Sequence, residues 1–116
     1  MVATEGAATP STDTVGPIII GVRYDAGATG GVSDDVIYLT FSESLSGATI
    51  DTTNATTDFS VIGGGSLTSA TVTNIVGNTA EIHLGAGSTA FTVGVSKISI
   101  KTGAISDVLS NVSPTE

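Results

Sequence analysis

At 116 residues the chain suits one domain, with a core that removes roughly 65% of the unfolded surface from water. Eleven acidic residues against three basic ones (Arg23, Lys97 and Lys101) give a net charge of −8, a field that repels nucleic acid and anionic lipid and excludes a phosphate-backbone binder. The chain has no cysteine, which excludes disulfides, thiolate metal sites and cysteine nucleophiles. Thr, Ser, Gly, Ala and Val dominate, so short hydroxyl side chains replace the long charged ones that helix-rich cytosolic proteins carry, and the balance favours export. Met1 to Gly6 have neither the basic start nor the apolar run of a signal peptide. No stretch approaches the ~18 apolar residues of a membrane span, so membrane insertion is not expected.

Residues 1–16 are small and polar, with Pro10 among repeated Thr, Ser and Ala, and read as a flexible or extended arm. Pro17 opens Ile18-Ile19-Ile20-Gly21-Val22-Arg23-Tyr24, a β-branched run too short for a helix. A glycine-rich loop, Asp25 to Asp34, leads to the clearest strand, Asp35 to Phe41, where Ile37, Leu39 and Phe41 share one face at period two. Ser42 to Gly47 reads as a bend. Asp58 to Ile62 is a strand that ends at Gly63-Gly64-Gly65, and Leu67 to Asn74 is another, rich in Thr and Val. Gly77-Asn78 predicts a tight turn into Thr79 to Leu84, with Ala80, Ile82 and Leu84 on one side. After the turn Gly85 to Ser88, Val93 and Val95 lead into Lys97 to Lys101, with Ile98 and Ile100 inward. Gly103 to Asn111 reads as a turn plus a short closing strand.

About seven short strands with turn signals roughly every ten residues, and no 3.6-residue period, predict an all-β, two-sheet antiparallel sandwich. Its expected core is Ile18, Val22, Ile37, Leu39, Phe41, Phe59, Val61, Val72, Ile82, Leu84, Ile98 and Ile100. Without tryptophan or a disulfide it is not an antibody-type domain.

Three segments carry a resemblance. Pro17 to Asp25, followed by the Gly/Asp loop and Asp35-Val36-Ile37-Tyr38-Leu39-Thr40-Phe41-Ser42-Glu43, resembles the opening of bacterial immunoglobulin-like repeats of surface-layer proteins and large adhesins. Asp58-Phe59-Ser60-Val61 is similar to the middle of such repeats. Gly103 to Asn111 is similar to their close, with Ser110 where the family usually has Gly. The resemblance covers most of residues 17–112. It implies an immunoglobulin-like sandwich over 17–116 and an extracellular, non-catalytic role as spacer, adhesive or lattice-forming unit.

Relatives of that kind often carry a calcium-like series of aspartates in the loop between Tyr24 and Val36. Calcium takes six to eight oxygen ligands. Asp25, Asp34 and Asp35 stand in this loop, and Glu43 or Asp107 are expected to complete the shell, making Ca2+ the one cofactor considered. Asp107 and Asn111 have the bland alternative of satisfying backbone donors in a terminal turn. His83, the single histidine, falls on an outward strand face beside Glu81, with no serine singled out as a nucleophile, so no enzyme is expected. Asn54-Ala55-Thr56 and Asn111-Val112-Ser113 match the N-glycosylation acceptor. The glycine clusters at 30–31 and 63–65 lack a phosphate loop's lysine and are turns.

Two functions compete on this reading. One is a structural unit of a surface layer, fibre or adhesin whose partners are copies of itself or neighbouring domains of a longer chain, with residues 1–16 adding as a strand to another copy. The other is a calcium-dependent binding module recognising a carbohydrate or protein through its end loops. The few exposed aromatic candidates, Tyr24 and Tyr38, weigh against sugar recognition.

Overall fold

A computed structural model of the chain describes residues 15–114. The described residues form six strands and two single-turn 3-10 helices. The strands are β1 (Ile19–Asp25), β2 (Val36–Phe41), β3 (Phe59–Ile62), β4 (Thr71–Val76), β5 (Thr79–His83) and β6 (Lys97–Ile100). They make two antiparallel sheets, one of four strands in the order β1-β2-β5-β4 and one of two, β3-β6. The arrangement is consistent with a β-sandwich.

Strand β2 is the centre of the larger sheet, and its sequence dictates its place. Ile37, Leu39 and Phe41 alternate with half-buried Val36, Tyr38 and Thr40, so the apolar residues all project to one face. On β5, Ile82 lies opposite Ile37 and Ala80 opposite Leu39, which sets the register by matching the two apolar faces. From the smaller sheet, Phe59, Ile98 and Ile100 are buried in the same core, where Phe59 pairs with Ile100. On the outer face, Arg23 lies over the ring of Tyr38, its strand partner, at 4.0 Å.

Nine of the twelve expected core residues are buried, and Val61 packs against them half-buried. Ile18 and Val22 correct the expectation, at 36% and 53% exposed. The cause at Ile18 is a register shift between Ile19 and Gly21. The extra residue reverses the parity of the run, so Ile19, opposite Phe41, packs on the core in place of Ile18. Connections supply the rest of the core: Leu45, Ile50, Ala55, Leu67, Ala70 and Ile105 are all buried.

Other boundaries differ in physically readable ways. The expected strand from Leu67 starts at Thr71, because Leu67 to Ala70 is a turn closed by the Ala70 amide donating to the Leu67 carbonyl at 2.9 Å. Asn74 adopts φ 50° where the β4–β5 register shifts, and Gly77-Asn78 makes the tight turn. Val93 and Val95 are 81% and 55% exposed and precede β6 in place of extending it. The expected closing strand is reduced to isolated bridges, Leu45 with Asp107 and Ser106 with Val112. Six strands therefore stand among the described residues against about seven expected.

Most of the expected arm, residues 1–14, lies outside the described residues. Its last residue, Gly16, is buried with Pro17 and belongs to the folded unit. Gly16 packs so closely on the closing segment that a Cβ there would stand 2.0 Å from the Val112 carbonyl oxygen. Gly16→Ala is therefore expected to lower the melting temperature by roughly 5 °C or more by displacing residues 112–113. Gly30→Ala, where nothing lies within 4 Å, serves as the control and is expected to leave it unchanged, both read by circular dichroism melts.

Candidate functional site

The five acids proposed as a calcium shell divide between the two ends of β2. Asp25, Asp34 and Asp35 lie before it and Glu43 beyond it, and six residues at about 3.4 Å each separate the two groups by roughly 20 Å. Asp107 lies with Glu43, because its bridge to Leu45 ties the closing segment to the bend after β2.

The loop carboxylates are engaged by their own loop. Asp34 accepts from the backbone amides of Ala28 and Thr29, both at 2.9 Å, and from the Thr29 hydroxyl at 2.7 Å. The Thr29 hydroxyl, then the Thr29 and Ala28 amides, hold the Asp34 carboxyl below the usual carboxylate range. Asp25 accepts from the Gly27 amide at 3.0 Å. Asp35 is 4% exposed and turns inward, where Oδ2 accepts from the Tyr24 hydroxyl. Its Oδ1 is buried without a hydrogen-bond partner among the described residues. Tyr24 stacks on Phe91, with ring centroids 5.7 Å apart. Burial, the bond to Asp35 and the Asp35 charge push the Tyr24 hydroxyl up to about 12, against a lowering contribution from the Phe91 backbone.

Asp107 organises the other end. It is 2% exposed and accepts from the Leu109 amide at 2.8 Å and the Asn111 amide at 2.9 Å through Oδ1. Oδ2 accepts from Asn111 Nδ2 at 2.9 Å. Glu43 also hydrogen-bonds this carboxyl, a bond that between two carboxyl groups needs one proton. Burial alone would raise Asp107, but the bonds from Asn111, Glu43 and Leu109 outweigh it and hold the group at about 2. Asp107 and Asn111 thus satisfy donors of the terminal turn. Among the described residues no three His, Cys, Asp or Glu side chains are grouped to hold a metal.

Of the two glycosylation sequons, Asn54 is exposed at the start of a 3-10 turn, whereas the Asn111 side chain is bound to Asp107. His83 contacts Glu81 at 2.8 Å on the outward face of β5.

The feature that sequence reasoning missed is a groove of about 860 Å³ between β1 and β6, walled by Ile18, Ile20, Val22, Ile62 and Ile98, with Lys97 among its lining residues. Val22 lies directly opposite Leu39, whose side chain is in the core, so Val22 projects from the same inner face. It is nonetheless 53% exposed, because the two described strands of the smaller sheet do not reach beneath β1. Ile20 and Ile62 are 63% and 68% exposed at the same groove. The signal was present in the run Ile18-Ile19-Ile20-Gly21-Val22, which has apolar residues at both parities and cannot bury them all on one face.

Comparison with known proteins yields no match to a family model, a curated protein or a solved structure.

Two titrations follow from the geometry. The Asp107 value in the fold lies below the ordinary 3.8, so its stabilising contribution is present above pH 3.8 and is lost as pH falls towards about 2. Asp107→Asn is expected to lower the melting temperature at pH 7 and to flatten its decline between pH 4 and 2, followed by circular dichroism. Tyr24 lies above its ordinary 10.0, so its contribution is present below pH 10 and is lost as pH rises towards about 12. Tyr24→Phe leaves buried Asp35 without that donor, and a destabilisation of roughly 1–3 kcal/mol is expected in urea unfolding. The phenolate absorbance of the parent minus that of the variant should show a tyrosine ionising at about pH 12.

Proposed function

We propose that the chain is a non-catalytic structural module, an immunoglobulin-like unit of an extracellular layer, fibre or adhesin, that associates with copies of itself along the groove beside β1. The observation that carries this reading is Val22, an inward-facing side chain on the outermost strand of the larger described sheet that the smaller sheet leaves uncovered. Contiguous exposed aliphatic surface on a domain usually marks an interaction site. Here it lines a groove between β1 and β6, each an outer strand of its described sheet, and an exposed sheet edge is where main-chain hydrogen bonding adds a further strand.

The remainder of the surface supports a scaffold. A net charge of −8 keeps copies apart except where apolar surface offsets the repulsion. Acids that could have served chemistry are occupied in holding turns: Asp34 in its loop, Asp107 in the closing turn, and Asp51 by the amides of Thr53 and Asn54 and the hydroxyl of Thr57. His83 and Glu81 face outward from β5 and contact each other at 2.8 Å.

Sedimentation velocity and negative-stain microscopy across a concentration series test the reading. The parent chain is expected to assemble as concentration rises. The double variant Ile20→Lys, Val22→Lys is expected to remain folded, since both side chains are more than half exposed, and to stay monomeric. A parent chain that stays monomeric at millimolar concentration, or a variant that assembles equally well, overturns it.

A further inference from the structure

We propose that the groove between β1 and β6 receives residues 2–8 of a second copy as an added strand, an inference that rests on the self-association reading above and assigns its occupant. The groove has the form of a missing strand. It lies under β1, whose inward-facing Val22 forms its roof, and Ile98 of the smaller sheet forms its opposite wall. β1 has seven residues and spans about 23 Å at 3.3 Å per residue. An extended segment of seven residues matches that length.

The sequence before Val15 supplies such a segment with the right chemistry. In extended conformation alternate residues share a face. Among residues 1–14, both charged side chains, Glu5 and Asp13, have odd numbers. The even face over 2–8 is Val2, Thr4, Gly6 and Ala8, all uncharged and small to medium in size. Small side chains suit a groove whose walls are already isoleucine and valine, because close packing requires that bulky rows meet small ones. With the even face inward, Glu5 points outward, towards a rim that carries Lys97, one of three basic residues in an otherwise acidic chain. Pro10 cannot donate a ladder hydrogen bond and ends the strand before it. Residues 9–14 then remain as a connection of about 20 Å from the groove of one copy to the body of the next.

A second copy is favoured over the same chain by the path at Val15. Val15 itself lines the groove's end, and residues 15–18 contain no turn and lead directly into β1, with Gly16 and Pro17 buried against the domain. A return into the chain's own groove would need its reversal wholly within residues 1–14, and the reversal would consume part of the strand. Donation to a neighbour needs no reversal. Because donor and acceptor are different surfaces, the contact repeats head to tail and does not close after two copies.

The absence of native cysteine allows a direct test with the full chain. Thr4→Cys and Ile20→Cys variants are mixed in equal amounts and oxidised, and products are resolved on a non-reducing gel. Cross-linked dimer between the two variants is expected to form at least about tenfold faster than between Thr4→Cys and Thr71→Cys, which places the second thiol on an exposed position of β4. Equal rates for the two pairs overturn the inference. So does the Thr4→Cys, Ile20→Cys double variant if it closes within one chain at a rate independent of dilution, which would assign the groove to the chain's own segment. If assembly depends on Ile20 and Val22 while the cross-link fails, self-association stands and the assigned occupant falls. If the parent chain neither assembles nor cross-links, both fall together.

Discussion

Unequal sheet widths constrain everything else in this molecule. Among the described residues four strands present one apolar face, and two strands cover it. The covered part is tightly defined: Ile37, Leu39, Phe41 and Ile82 are buried almost completely, and Phe59, Ile98 and Ile100 close over them from the smaller sheet. Connections help to complete this core. Leu45, Ile50, Leu67 and Ile105 arrive from segments without regular structure, a common solution where a small domain cannot afford a longer strand at every position. What the connections do not cover is the inner face of β1. Among the described residues the fold therefore combines a conventional interior with one side, along β1, where inward-facing apolar side chains are exposed.

That side also explains how far the sequence could be read. Where a strand is flanked by partners on both sides, as β2 is, periodicity alone specifies the buried face, and Ile37, Leu39 and Phe41 are where alternation puts them. At β1 the same reasoning identifies the right face for Val22 but not its exposure, because burial depends on the reach of the opposing sheet, which no local pattern encodes. Ile18 fails for a different reason, since a one-residue bulge reverses parity and nothing in a run of three isoleucines marks where it falls. The strand expected from Leu67 begins four residues later, because Leu67 to Ala70 form a turn ahead of the Thr- and Val-rich run.

The acidic residues were legible by type but not by partner. Three aspartates in a glycine-rich loop suggested a shared cation, and the pattern did not show that the amides of Ala28 and Thr29 would bond Asp34. Asp107 behaves similarly towards Leu109 and Asn111. A carboxylate beside two or three free backbone amides is stabilised as the anion without any metal. Acid-rich, lysine-poor sequences can therefore hold loops by this means while keeping a repulsive exterior. The pairing of Asp35 with Tyr24 is a further case, in which a buried acid accepts a hydrogen bond from a phenol stacked on Phe91.

The energetics of the groove suit a lattice better than a pair of molecules in dilute solution. Full burial of a valine or isoleucine contributes roughly 1.5–3 kcal/mol, and Val22, Ile20 and Ile62 have only about half to two-thirds of that left to gain. Their sum, about 3–5.5 kcal/mol, reaches only the low end of the roughly 4–15 kcal/mol lost in translational and rotational freedom when two molecules join. Main-chain hydrogen bonds of an added strand contribute about 0.5–1.5 kcal/mol each, since the partners give up water to form them. A single contact of this kind is weak, but each copy in an array makes two, once as donor and once as acceptor, and its neighbours hold it at high effective concentration. The mutual repulsion of molecules with net charge −8 raises the threshold further. On the proposed reading, an apolar face left open among the described residues of an acidic domain is expected to stay largely unoccupied when the protein is dilute and to fill when copies are held side by side.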